Sequence, residues 1–226
     1  MKRNLLAVFV AGVGAVSCAV LLPATAGAQS YDREGAYVGV GFSYGFENFG
    51  LSKTEDAASD IIGARVELGA DDSPGFDIRG GYRLHPNFAI EGEIQYFTGF
   101  DLNIDNMSTR GETINLNEKF GSIDTLAVTV NAKGYVLTGR VQPYGLFGIG
   151  LARANFDPEI EGVDSQDDNQ FAVRFGAGVD FYATENIVIN AEAGYLLPTS
   201  DYKFGEGDPG LGGDIIPLTI GLQYRF

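Results

Sequence analysis

The stretch FAVRFGAGVDFY at 171–182 places Phe171, Val173, Phe175, Ala177, Val179 and Phe181 at alternate positions, with Arg174, Gly176, Gly178 and Asp180 among the residues between them. Side chains of a β-strand alternate between its two faces, so this is one strand with an oily face and a wet one. The next run, 187–196, repeats it, with Ile187, Ile189, Ala191, Ala193 and Tyr195 against Val188, Asn190, Glu192, Gly194 and Leu196. The last, 217–226, sets Leu218, Ile220, Leu222, Tyr224 and Phe226 against Pro217, Thr219, Gly221, Gln223 and Arg225. Oily faces of this length suit the roughly 9–11 residues with which a tilted strand crosses a bilayer.

The same alternation recurs at 36–46, 76–84, 88–97, 126–136 and 143–153, which makes eight strands. An even number closes an antiparallel barrel with both ends of the chain on one side. The links at 85–87, 138–142 and 183–186 are short and rich in turn formers. Between them lie long polar segments near 47–74, 98–125, 155–169 and 198–214. The expected fold is all-β: an eight-stranded antiparallel transmembrane β-barrel, an up-and-down meander with short turns at one rim and long loops at the other.

Lys2 and Arg3 precede an apolar stretch at 5–22, and Ala26-Gly27-Ala28 then offers small residues ahead of Gln29. That order is the order of a secretory signal peptide, cleaved after Ala28 with Ala26 and Ala28 as the small pair. The organisation expected is a signal peptide at 1–28 and one barrel domain at 29–226. The only cysteine, Cys18, falls inside the leader, which suits a protein exported to an oxidising compartment.

The formal charge is −15, and loss of Lys2 and Arg3 would take it to −17. The four long polar segments hold 22 of the 30 acidic residues and only five basic ones, Lys53, Arg65, Arg110, Lys119 and Lys203. The wet faces of the strands carry Asp77, Glu91, Glu93, Asp180 and Glu192 against Arg79, Arg83, Lys133, Arg174 and Arg225. Arg or Lys on the lipid face near mid-membrane would cost roughly 2–4 kcal/mol. An eight-stranded barrel is just wide enough for its own side chains to fill. The expected interior is therefore a charge-paired plug, with wet-face glycines making room for long side chains. The alternative is that these charges line a narrow aqueous path.

The leader, the eight alternating strands, the acidic loops and the terminal Tyr224-Arg225-Phe226 together resemble the small OmpA/OmpX-like outer-membrane β-barrels of Gram-negative bacteria. The resemblance implies that Ile220, Leu222, Tyr224 and Phe226 form the C-terminal signal read by the barrel-assembly machinery. It also implies the bacterial cell outer membrane as location, lipid and lipopolysaccharide as surroundings, and adhesion or envelope integrity as the class of role. No peptidoglycan-binding domain follows Phe226 in this sequence, so wall anchoring does not carry over.

Catalysis is not expected. The single histidine, His85, sits on a short turn beside Pro86 and Asn87, and without a second His or a mature Cys a zinc site of N/S ligands is not expected either. No cofactor is implied. Asp157, Glu159, Glu161 and Asp168 echo a calcium loop, but Pro158 interrupts it and no flanking helices are expected. A soluble lipocalin-like barrel would need an oily interior, which the charged face denies. The strong negative charge disfavours nucleic acid. The function expected is a non-enzymatic surface barrel in envelope structure and surface interaction, with loops that take an extracellular ligand; the alternative is a narrow porin for small solutes.

Overall fold

Period-two patterning builds strands along the chain, and no helix occurs among the described residues. The computed structural model describes residues 31–48, 65–109, 112–158, 166–202 and 213–226. The strands are β1 (Gly35–Asn48), β2 (Arg65–Ala70), β3 (Ser73–His85), β4 (Phe88–Thr109), β5 (Glu112–Tyr135), β6 (Val141–Pro158), β7 (Gln166–Tyr182), β8 (Ile187–Pro198) and β9 (Asp214–Arg225). From β3 to β9 each strand pairs antiparallel with the next, and β1 pairs with both β3 and β9. Val40 therefore faces Ile78 on one side and Leu222 on the other. Both β2 and β3 pair with β4, so they form one wall interrupted at Asp71 and Asp72, where the Asp71 N–H bonds the Asp101 carbonyl at 2.9 Å. The result is a closed eight-stranded antiparallel barrel. Closure leaves no edge with unsatisfied backbone groups, a condition for spanning hydrocarbon.

The oily faces point outward. Val40, Phe42, Ile78, Val130, Phe147 and Ile220 are all about half or more exposed on the outer wall, where hydrocarbon and not water is the solvent. Ile220, Leu222, Tyr224 and Phe226 belong to the same wall, with the Tyr224 and Phe226 rings edge to face at 5.2 Å. Three tight hairpins close one rim. The Thr184 hydroxyl accepts from the Asn186 and Ile187 N–H groups, and His85 Nδ1 accepts from the Asn87 N–H at 3.3 Å, which makes His85 a turn residue.

The opposite rim differs from the sequence expectation. Residues 98–125 were expected to form a long loop, yet β4 runs to Thr109 and β5 starts at Glu112, paired from Thr109↔Glu112 down to Phe100↔Ile123. Likewise β2 lies within 47–74, β6 continues to Pro158 and β7 begins at Gln166. The reason is that a hairpin rising clear of the bilayer has no lipid face, so its ladder needs no oily alternation. Register shifts after Phe97, Leu102 and Ile104 also scramble the parity. The residues at 1–28, with Ala26 and Ala28, lie outside the described residues.

Candidate functional site

Inside the barrel the wet faces converge. All ten strand charges expected there are at most 5% exposed. At the centre, Arg174 of β7 bridges two strands: its Nη1 lies 2.5 Å from Glu93 Oε1 of β4 and its Nη2 2.5 Å from Glu192 Oε1 of β8. Arg79 of β3 meets Asp77 on its own strand at 2.6 Å and Glu192 across the lumen at 3.4 Å. Lys133 of β5 meets Glu91 at 2.8 Å. A buried charge is tolerable only when paired and hydrogen-bonded, and neutral groups complete the set. The Tyr144 hydroxyl donates to Glu192 at 2.7 Å, Tyr37 to Glu91 at 3.0 Å, and Asn131 Nδ2 to Glu93 at 3.1 Å.

The pairing is not the five-to-five match that the charge count suggests. Asp180 accepts from Tyr135 at 3.0 Å and Asn190 at 2.9 Å, and is in no ion pair among the described residues. Arg83 and Arg225, near the turn rim, likewise lack a carboxylate partner there. Both donate to the Tyr182 hydroxyl, and Arg83 also reaches Gln142 and the Pro86 carbonyl. The Arg83 guanidinium lies 4.1 Å from the centre of the Tyr135 ring, and Arg225 5.3 Å from that of Tyr37. Aromatic faces thus take the place of carboxylates. Sequence reasoning missed these tyrosines as network members. The available signal was parity, since Tyr37, Tyr135, Tyr144 and Tyr182 share the wet face with the charges.

Glycine makes the room. A side chain at Gly41 would run into the Asp77 carboxylate and Thr219, and one at Gly39 into Gln223 and Arg79.

Above the charges, toward the long-loop rim, the lumen turns apolar. Phe97, Phe100, Ile123, Leu196 and Ile215 are at most 1% exposed and pack as one cluster with small alanines. The Phe97 and Phe100 rings lie 5.8 Å apart, seated over Gly45, where a Cβ would come within 2.8 Å of Phe97. Phe97 and Phe100 differ in parity, yet both face inward because β4 bulges between them. Gly99 adopts a positive φ of 68°, a region that suits glycine, and its N–H is held by Asp124 Oδ1 at 2.6 Å. Tyr202 joins the cluster, and burial pushes its phenol above the ordinary tyrosine range.

Among the described residues no three His, Cys, Asp or Glu side chains are placed to hold a metal ion. Of the calcium-like segment, Asp157 lies on β6 and Asp168 on β7, so strands flank it. Glu159 and Glu161 lie outside the described residues.

The family model described as outer membrane protein beta-barrel domain matches residues 15–226. No curated protein matches the chain in sequence. Among solved structures the chain is similar to Neisserial surface protein A, at 15% identity and a TM-score of 0.58 over 84% of this chain and 97% of that one. It is similar also to the outer membrane protein OprG from Pseudomonas aeruginosa, at 17% identity and a TM-score of 0.54 over 88% and 99%. A third is Ail, the attachment invasion locus protein of Yersinia pestis, at 19% identity and 0.50 over 86% and 100%. At these identities the likeness is one of fold.

Proposed function

This chain belongs to the outer-membrane protein β-barrel family and resides in the bacterial outer membrane, and from that premise we propose that it is a non-enzymatic envelope protein whose plugged barrel presents acidic loops to the surroundings. The observation that carries this reading is the buried lumen: ten charges fill it and none is more than 5% exposed. A filled eight-stranded barrel offers solutes no open bore. What remains for interaction is the loop rim, where the sequence concentrates 22 acidic residues. The outer wall contacts lipid and lipopolysaccharide. Ile220, Leu222, Tyr224 and Phe226, in line on that wall, serve the barrel-assembly machinery as the entry signal, and the loops take an extracellular ligand.

One observation favours a second reading, a narrow porin for small solutes. Several buried lumen atoms find no protein hydrogen-bond partner, among them Glu91 Oε1, Thr129 Oγ1, Asn131 Oδ1 and Gln223 Nε2. Buried polar atoms are normally satisfied by protein or water, so these mark places where water enters. Single-channel recording of the folded protein in a planar bilayer decides between the two. Silence is expected for the plugged barrel; steady, discrete current steps would transfer the function to the porin reading.

A further inference from the structure

Resting on the plugged-barrel reading, the structure assigns the barrier to ions and water to the apolar layer of Phe97, Phe100, Ile123, Leu196 and Ile215, and not to the ion pairs beneath it. The two zones meet abruptly. The β7–β8 register sets Arg174 opposite Leu196, and the β8–β9 register sets Leu196 opposite Ile215. On β4, Gln95 is the last polar lumen residue before Phe97. Most of the orphan polar atoms, Glu91 Oε1, Thr129 Oγ1, Asn131 Oδ1, Arg174 Nε, Gln223 Nε2 and Arg225 Nη2, sit on the turn side of this boundary; the buried Tyr202 hydroxyl lies within the apolar cluster itself.

That asymmetry has a physical meaning. Carboxylates, guanidiniums and hydroxyls can stand in for the water an ion sheds, so the charged zone is wettable. The layer's phenyl and branched aliphatic side chains offer nothing in exchange, the buried Thr125 opposite Phe97 being the exception at that level, and a mainly apolar constriction closes by dewetting. The layer is also built for its place, with Phe97 seated over Gly45 and Gly75 and the Gly99 bulge turning Phe100 inward. The barrel is thus a wettable shaft with a dry lid at its long-loop end.

The test is planar-bilayer recording on three folded variants beside the unsubstituted protein, with folding verified by far-UV circular dichroism. Phe97→Ser with Phe100→Ser opens one wall of the lid. Leu196→Ser with Ile215→Ser opens the opposite wall and leaves both rings in place, in case the first variant fails to fold. Arg174→Gln with Glu192→Gln removes a central ion pair while leaving the lid intact. Current steps from either lid variant, with the unsubstituted barrel and the ion-pair variant silent, are expected. Folded, silent lid variants overturn the assignment, as does a conducting ion-pair variant. Conduction by the unsubstituted protein is a different failure, since it removes the plugged-barrel reading itself.

Discussion

Replacing Arg174 by Gln asks what the central bridge contributes. The guanidinium holds Glu93 and Glu192 at 2.5 Å each and is almost fully buried. Its loss leaves Glu93 with Arg79 at 3.8 Å and Glu192 with Arg79 at 3.4 Å and Lys133 at 3.9 Å. Removing one partner of a buried pair costs about 3–5 kcal/mol, and the surviving cations argue for the lower end, about 3 kcal/mol. Glu192→Gln should cost a similar amount, because Arg174 and Arg79 then lose a shared carboxylate. The double substitution restores the charge balance, so it should cost clearly less than the sum, with a coupling energy of roughly 1.5–3 kcal/mol. Equilibrium urea unfolding in lipid vesicles, followed by far-UV circular dichroism, supplies the four free energies of the cycle. Additivity within about 0.5 kcal/mol would refute the bridge as an energetic unit.

Val130→Arg places a cation on the lipid face, where Val130 is 58% exposed, and should cost about 2–4 kcal/mol; Val179→Arg should act in the same direction. Thr129→Arg enters the lumen beside Glu93 and should impair vesicle folding yield far less; a yield for Thr129→Arg below those of the two valine variants would mean the faces are reversed, and equal yields would refute the distinction between them. Gly150→Ala should destabilise by about 1–3 kcal/mol, because its Cβ would strike the Val128 carbonyl and lie 2.7 Å from Thr129 Cα, whereas Gly134→Ala meets nothing within 4 Å. Similar denaturation midpoints for these two alanines would contradict the close strand contact. Asp124→Ala removes the acceptor for the Gly99 N–H and the Tyr96 hydroxyl. It should cost about 1–3 kcal/mol and raise amide hydrogen exchange at Gly99, and unchanged exchange there would count against its holding the bulge.

The membrane part of the wall is legible in the sequence because lipid enforces it: an apolar or aromatic side chain recurs at nearly every second residue, and Ile189, Ile220 and Val130 fall in step. The wet face is legible for the complementary reason, since a charge can go only inward. Partner choice is not legible. Arg79 reaches Glu192, 113 positions along the chain, and only barrel closure brings β3 and β8 across one lumen. The apolar lid leaves just a trace, as Phe97 and Leu196 stand at wet parity without an evident reason, while Phe100 is hidden behind a bulge that changes the count. The rising β4–β5 hairpin escapes detection altogether, because outside the bilayer the period that marks a strand has no cause.

The seating of large lumen side chains over glycines also bears on how such an interior changes over time. The three atoms nearest a Cβ at Gly45 belong to the Phe97 and Phe100 rings, and the three nearest one at Gly41 to Asp77 and Thr219. Neither partner can grow unless the other shrinks, so a substitution acceptable on its own is rare and a coupled exchange of volume is the accessible route. The interior then drifts in double steps while the loops drift in single ones. In a library randomised at positions 45 and 97 together, the folded members should conserve the summed side-chain volume of the couple and not the identity of either residue.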